Sequence, residues 1–192
     1  MPGESLMPKI VPIAYAALAI ASVVLLAGYH SGRDRAERLN ASGAGVGAQM
    51  VDRPALDFEL RTLDGGGLRL SDLRGKLVFL NFWATWCPPC LEELPAMAEL
   101  AERLKGRPFE MVAVSQDEDW DALSTFFKGR HPSMRVALDP TGGLAHRYGT
   151  EKLPETYVIG RSGQILSRFV NAQPWSDPRF IGWFESVLAS GL

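Results

Sequence analysis

The sequence has little cysteine, little histidine and no large excess of charge. It contains 2 Cys and 3 His among 192 residues, so it cannot form a disulfide-rich scaffold and barely supplies four zinc ligands. With 20 basic and 22 acidic residues the formal net charge is -2, which excludes the strongly basic surface of most nucleic-acid-binding proteins. Hydrophobic residues make up 46% of the chain, which excludes wholesale disorder. These limits leave one folded domain of ordinary size.

The longest uncharged run lies near the N-terminus, over residues 10–29. As a helix it would be about 30 Å long, close to the hydrocarbon thickness of a bilayer. The alternatives are a buried core helix and a cleaved signal peptide. A core helix should show a polar stripe, which this run lacks. The apolar region of a signal peptide is usually shorter and is soon followed by a small-residue cleavage site. We therefore predict a cytoplasmic stub over residues 1–9, a transmembrane signal-anchor over residues 10–29 and a flexible tether over residues 30–52.

From residue 53 onward, segments typical of strands and helices alternate. Residues 77–83 form a nearly continuous apolar run, typical of a central strand covered on both faces, and a helical pattern follows Cys87. Toward the C-terminus, residues 156–159 and 164–170 predict a hairpin, so we expect the central sheet to be mixed. The pattern predicts a layered α/β domain over residues 53–192.

The two cysteines, Cys87 and Cys90, stand where the central strand gives way to the helix. This spacing brings two sulfurs within reach of a disulfide, and a helix N-terminus favours the thiolate of Cys87 over its thiol. We expect Cys87 to be exposed and to attack, and Cys90 to lie under the first helical turn and resolve the mixed disulfide. A zinc site would need both His131 and His146, which lack finger-like spacing. The pattern therefore predicts a redox-active Cys87–Cys90 disulfide.

The segment Trp83-Ala-Thr-Trp-Cys-Pro-Pro-Cys90 resembles the active-site motif of the thioredoxin superfamily. Pro95 resembles the proline that kinks the active-site helix of that fold, and residues 153–156, Leu-Pro-Glu-Thr, resemble its cis-proline loop. The lead-in over residues 57–76 and the extra segment between residues 115 and 139 resemble the membrane-tethered TlpA/ResA branch, which includes the reductases of cytochrome c maturation. The resemblance implies a thioredoxin-like three-layer α/β fold with a mixed central sheet, one N-terminal transmembrane helix, and no cofactor or metal.

The resemblance also implies a substrate surface beside the cysteines, formed by Trp86, Leu153 and Pro154. A cis peptide bond before Pro154 would leave the Leu153 backbone free to pair with an extended segment of the substrate. We therefore expect a cis Leu153–Pro154 bond, although a trans bond is the more frequent form of X-Pro in general.

The sequence departs from the thioredoxin pattern at Asn81, where thioredoxins carry a buried Asp that transfers protons to the resolving cysteine. Asn81 cannot titrate. Glu93, one helical turn after Cys90, and Glu155, next to the predicted cis-proline, are the candidate catalytic carboxylates. The alternative for each is a solvated surface glutamate.

These features predict a protein-disulfide reductase in the bacterial inner membrane with its domain in the periplasm. The expected partners are disulfide-containing exported proteins and a membrane dithiol electron donor, and we expect no nucleic acid. The charges flanking the apolar run, Lys9 before it and Arg33, Arg35 and Arg38 after it, favour the opposite orientation. An extracytoplasmic reductase nevertheless needs a tether near its electron donor, and this requirement outweighs the charge pattern.

Two other functions use the same cysteines. A Cu(I) chaperone would bind through both thiolates, with Met134 or His146 as a further ligand, although neither stands in a motif. A peroxidase is disfavoured because its Thr-x-x-Cys pattern is absent, since Thr85 stands only two residues before Cys87.

Overall fold

The computed structural model describes residues 10–130 and 132–192, so the predicted stub over residues 1–9 and His131 lie outside the described residues. The chain divides into two compact units, one ending at Leu39 and the other comprising Asn40–Leu192. Helix α1 begins at Ile10 and ends at Ala44. Across the described part of the chain, no helix has both the length and the apolar character that crossing a membrane requires. The predicted transmembrane helix is therefore not confirmed.

The region predicted as a tether, residues 30–52, differs from the prediction. Helix α1 extends to Ala44, and strand β1 (Gln49–Pro54) pairs antiparallel with β8 (Gln164–Val170). Every β1 side chain is exposed or half-buried, because an edge strand can be held by backbone pairing with one neighbour. Strand β1 therefore lacks the apolar pattern by which a strand is predicted from sequence. The folded domain begins before residue 53.

The centre of the larger unit is a six-stranded sheet in the order β1-β8-β7-β4-β5-β6. Strand β4 (Leu77–Trp83) is parallel to β5 (Phe109–Ser115) and antiparallel to β7 (Glu155–Ile159), while β6 (Arg135–Leu138) continues the parallel part. All seven residues of β4 are buried, as expected for a strand covered on both faces. The structure confirms the predicted α/β architecture with a mixed central sheet.

The remaining elements connect the strands or extend the domain. A small hairpin and a 3₁₀ turn precede β4, and in the described part of the chain four helices follow it. The hairpin consists of β2 (Glu59–Arg61) and β3 (Gly67–Arg69), the 3₁₀ turn is Leu70–Leu73, and the helices are α2 (Pro88–Arg103), α3 (Trp120–Phe127), α4 (Gly143–Tyr148) and α5 (Pro178–Ser190).

Alternating side chains of β4 point into two separate apolar clusters. Leu80 and Phe82 pack with Tyr148 of α4, whereas Trp83 packs with Cys90 of α2 and Leu123 of α3. Burial of each such large apolar side chain stabilises the fold by about 1.5–3 kcal/mol. The cysteine-bearing helix α2 therefore lies on the sheet face opposite α4, and this division decides which polar groups reach the cysteines.

Candidate active site

Cys87 and Cys90 form a disulfide, with their Cα atoms 5.3 Å apart. Cys87 has an extended backbone and immediately precedes α2, which begins at Pro88. Its N–H donates to the carbonyl of Ala84 at 3.2 Å, and its own carbonyl accepts the N–H of Cys90 at 3.1 Å. The Cys87 sulfur is thus attached at the N-terminal end of a helix, where the helix dipole favours a thiolate.

Access to the disulfide is narrower than the sequence suggests. Cys87 was expected to be exposed, but it is only 5% exposed, and Cys90 is 1% exposed. The expectation is wrong because Cys87 packs into the same apolar cluster as Trp83 and Cys90. Cys87 nevertheless lines a cavity of about 430 Å³, and Cys90 does not. A substrate sulfur can therefore approach Cys87 through this cavity.

The walls of this cavity come from three segments. Trp86, 64% exposed, lies on the cysteine side together with the two prolines of the motif, Gln116 follows β5, and residues 150–153 form the opposite wall. The Leu153–Pro154 peptide bond is cis, as predicted. Among the described residues no backbone hydrogen bond to Leu153 is found.

Two of the three residues of the predicted substrate surface therefore lie at the cavity. Trp86 and Leu153 both line the cavity, so they are available to a bound segment. Pro154 is buried and is not part of the cavity wall. Its carbonyl accepts the N–H of Asn171 at 3.1 Å, so this residue holds the loop rather than offering a surface. Substrate binding by the three residues stays a prediction.

Glu93 is not a surface glutamate, because only 3% of it is exposed. One carboxylate oxygen accepts the side-chain N–H of Asn81 at 3.0 Å. The other accepts the Gln173 N–H at 3.1 Å and the Trp175 indole N–H at 2.9 Å. Burial raises the pKa of Glu93 to about 7, and the three hydrogen bonds only partly oppose this rise. A proton can therefore bind and leave this carboxyl near neutral pH.

Glu155 is also buried, with 1% exposed, but it has different neighbours. Its carboxylate pairs with Arg168 and accepts the Tyr157 hydroxyl at 2.7 Å. The hydrogen bond to Glu155 raises the pKa of Arg168. Glu155 was expected beside the cysteines, yet neither cysteine is among its hydrogen-bond partners in the described structure. Because side chains alternate along β7, Glu155 shares a face with Tyr157, whereas Thr156 faces Asn81.

Sequence reasoning missed several residues that build this region. Gln173 and Trp175 reach Glu93 from the loop before α5, and no local sequence pattern predicts that contact. Gln116 and Asp117 could have been found. They follow β5, which is parallel to β4, and the carboxyl ends of neighbouring parallel strands meet at the same edge of a sheet.

The residues considered as copper ligands do not form a visible site. His146 is exposed on α4, and Met134 is half-buried against the apolar cluster that contains both cysteines. In residues 10–130 and 132–192, no group of three or more His, Cys, Asp or Glu side chains could hold a metal ion.

Comparison with known proteins agrees with this geometry. The AhpC/TSA family matches residues 51–168, a range that includes both cysteines and the cis-proline loop. The thiol-disulfide oxidoreductase ResA of Bacillus subtilis is 37% identical over 127 residues, which cover 66% of this chain and 71% of the relative. The protein of the same name from Bacillus thuringiensis subsp. konkukian is 35% identical over 123 residues, 64% of this chain and 71% of the relative.

Among solved structures, a putative thiol:disulfide interchange protein DsbE from Chlorobium tepidum superimposes with a TM-score of 0.66 at 30% identity, covering 73% of this chain and 99% of that one. The fold, the disulfide at the start of α2 and these relatives agree with one another. The chain therefore belongs to the AhpC/TSA family of thioredoxin-like proteins and is a thiol-disulfide oxidoreductase related to ResA.

Proposed function

We propose that this enzyme reduces disulfides of exported proteins, in cytochrome c maturation or a similar process, from a position tethered to the bacterial inner membrane. The observation that carries the proposal is the asymmetry of the cysteine pair. Cys87 lines a cavity, whereas Cys90 lies sealed beneath it. Such an arrangement suits one cysteine for attack on an incoming disulfide and the other for release of the product.

The reduction proceeds by two thiol–disulfide exchanges. The Cys87 thiolate of the reduced enzyme attacks one sulfur of the substrate disulfide, whose S–S bond breaks, and the second substrate sulfur leaves as a thiolate and takes up a proton. The Cys90 thiolate then attacks Cys87 in the mixed disulfide, and the first substrate sulfur leaves and is protonated. The substrate gains two electrons and two protons, and the enzyme retains the Cys87–Cys90 disulfide.

Glu93 is the best candidate for handling the proton of Cys90. It follows Cys90 by one turn of α2, it is buried, and its pKa of about 7 lets it accept and return a proton at neutral pH. Cys90 must lose its proton before it can attack the mixed disulfide, so a buried base on the same helix would speed that step. The ion pair with Arg168 makes Glu155 the weaker candidate.

Substrates of this class present an extended segment around a cysteine. The cavity between Trp86 and Leu153 can receive side chains next to the substrate sulfur, while the Leu153 backbone can pair with the substrate backbone. The exposed indole of Trp86 supplies apolar contact area at the cavity rim.

The proposed tether is the uncharged run over residues 10–29. Large apolar side chains of this run, including Leu18, Val23 and Leu25, are exposed along α1, which suits contact with lipid. The membrane would keep the enzyme near a dithiol protein that re-reduces the Cys87–Cys90 disulfide by the reverse exchange. A periplasmic domain accords with the redox chemistry, against the preference of the flanking arginines.

The reductase activity is tested with the reduced protein and a peptide that contains one disulfide. The wild type is expected to release two peptide thiols per enzyme, Cys87→Ser none, and Cys90→Ser to accumulate a mixed disulfide visible by mass spectrometry. Trapping by Cys87→Ser instead of Cys90→Ser would contradict the assigned roles. Tight Cu(I) binding without any peptide reduction would favour the copper chaperone.

The location is tested separately in bacterial cells that produce the full chain. Carbonate-washed membranes are expected to retain the wild type and to release a variant with several Leu and Val residues of the run changed to Ser. An added membrane-impermeant thiol reagent is expected to label the reduced Cys87 in spheroplasts. Labelling only after lysis would place the domain in the cytoplasm.

A further inference from the structure

Asp117 is a buried carboxylate that the thiol–disulfide exchange does not use directly. Only 1% of it is exposed, although it stands just beyond the end of β5. Its neighbour Gln116 lines the same cavity as Cys87. A carboxylate at this depth requires hydrogen-bond donors that compensate its burial, so the donors to Asp117 identify the part of the chain that it fixes in place.

Within residues 10–130 and 132–192, two residues donate hydrogen bonds to the Asp117 side chain. The Thr85 N–H lies 3.1 Å from one carboxylate oxygen and 3.3 Å from the other, and the Thr85 hydroxyl donates at 2.6 Å. The Ser115 hydroxyl is the further donor. No Lys or Arg forms an ion pair with Asp117 among the described residues. Neutral donors therefore compensate the carboxylate. Three of their four contacts come from Thr85, which stands two positions before Cys87.

The turn that carries Cys87 is fixed by these bonds together with two backbone bonds. The Gln116 N–H donates to the Trp83 carbonyl at 2.9 Å, and the Cys87 N–H donates to the Ala84 carbonyl at 3.2 Å. The end of β5 thus holds the whole turn between β4 and α2. Displacement of the Asp117 side chain would free Thr85 in the middle of this turn.

A second buried aspartate provides an internal comparison. Asp139 follows β6, is 6% exposed, and accepts the Leu144 N–H at 2.8 Å and the Ala145 N–H at 3.3 Å. It therefore caps α4, which carries no cysteine. The two aspartates share burial and position at a strand end, but only Asp117 is bonded to the active-site turn.

We infer that Asp117 is a positioning residue for Cys87, which it holds against the cavity by fixing Thr85. As a carboxylate bonded to the turn that carries Cys87, Asp117 would also repel a thiolate at Cys87. This repulsion favours the disulfide over the reduced pair and makes the reduced enzyme a stronger reductant. The inference rests on the exchange chemistry of the two cysteines and not on the identity of the substrate.

The test compares Asp117→Asn with Asp139→Asn in the full-length protein. The first measurement is the redox equilibrium of the cysteine pair with glutathione, followed by the mass of the alkylated thiols. Asp117→Asn is expected to shift this equilibrium toward the reduced form by about tenfold, equivalent to about 30 mV for a two-electron couple. Asp139→Asn is expected to lower the free energy of unfolding without shifting the equilibrium.

The second measurement separates positioning from charge. For a peptide disulfide that must enter the cavity, Asp117→Asn is expected to raise KM several-fold, whereas Asp139→Asn leaves KM unchanged. Equal shifts of the redox equilibrium in the two variants would overturn the inference, as would an unchanged KM and equilibrium in a folded Asp117→Asn protein.

Substitutions at Thr85 keep the inference testable if Asp117→Asn does not fold. Thr85→Val removes the hydroxyl donor but keeps the side-chain shape and the N–H, and it is expected to raise KM in the same direction by a smaller factor. Thr85→Ser retains the hydroxyl and is expected to rescue much of that loss. Identical kinetics for Thr85→Val and Thr85→Ser would show that the side-chain bond to Asp117 does not position Cys87.

Discussion

Glu93 and Glu155 are two buried glutamates on opposite faces of the central sheet, and they differ in the charge of their partners. Glu93 accepts three N–H groups from neutral residues. Glu155 pairs with the guanidinium of Arg168 and accepts one hydroxyl. Both are nearly inaccessible to water, at 3% and 1% exposed.

The comparison shows that burial alone does not decide what a carboxyl group can do. The desolvated carboxyl of Glu93, whose three hydrogen-bond donors are neutral residues, has its pKa raised to about 7 and can bind or release a proton near neutral pH. With Arg168 beside it, Glu155 forms a structural link between β7 and β8. The depth of burial therefore does not distinguish the two glutamates, whereas the charge of their partners does.

The largest expected effect is a change in the pH dependence of stability in Glu93→Gln. Because the pKa of Glu93 is about 7 in the folded protein and near 4.5 when unfolded, the folded state binds an extra proton between these pH values. Wild-type stability should therefore fall as pH rises through this window, by roughly 3 kcal/mol, and Glu93→Gln should lack this loss.

Urea unfolding of the oxidised proteins at a series of pH values measures this difference. Glu92→Gln is the matched control, since Glu92 is the exposed neighbour of Glu93 on α2 and its variant should keep the wild-type slope. A Glu93→Gln protein with the wild-type slope would remove Glu93 as the titrating group and abolish the contrast with Glu155.

A smaller effect, about 2 kcal/mol, is expected from Glu155→Gln at pH 7, because it leaves the half-buried Arg168 without its anion. Replacing both residues, as Glu155→Gln with Arg168→Met, should recover part of the loss. The pair of Glu59 with Arg69 is the control, because both side chains are more than half exposed and Glu59→Gln should cause no measurable loss of stability. Equal losses of stability from Glu59→Gln and Glu155→Gln would show that the buried ion pair stabilises the fold no more than the exposed one.

These two glutamates also show what the sequence could predict. Both were identified by local position, Glu93 one turn after Cys90 and Glu155 next to the cis-proline, and local position correctly placed the cysteines at a strand-to-helix junction. Their partners were not predictable in this way. Arg168 reaches Glu155 because β7 pairs with β8, and Trp175 reaches Glu93 from a loop about 80 residues away along the chain.

The same limit explains the errors in the fold. Central strands such as β4 are apolar along their whole length, and they were predicted correctly. The edge strand β1 has no buried face and was missed, because its pairing with β8 spans more than 100 residues of sequence. The burial of Cys87 was missed for a related reason, since the apolar cluster around it includes residues from α3 and β6.

Asn81→Asp is expected to sharpen the comparison by placing a second carboxyl against Glu93. Asn81 donates to Glu93 at 3.0 Å and to the Thr156 hydroxyl at 2.9 Å. Two carboxyl groups at this distance cannot both ionise, so the pair should retain a proton to a pH at least about one unit higher, equivalent to about 1.4 kcal/mol. Carboxyl carbon shifts followed by NMR measure the titration, with the exposed Asn171→Asp as the control. A carboxyl titration unchanged from the wild type would mean that Glu93 and residue 81 do not interact.

The smallest expected effect is that of Tyr157→Phe. Burial raises the pKa of Tyr157 to about 12, so its hydroxyl stays protonated and can donate to Glu155 at 2.7 Å. Its removal should cost only about 1 kcal/mol in urea unfolding, because Arg168 still neutralises the carboxylate. Tyr148→Phe, which removes a hydroxyl bond to the Leu56 carbonyl, should cost a similar amount and is the matched control. If Tyr157→Phe were as destabilising as Glu155→Gln, the hydroxyl rather than the cation would hold Glu155. The difference between Glu155 and Glu93 would then come from hydrogen bonding and not from the charge of their partners.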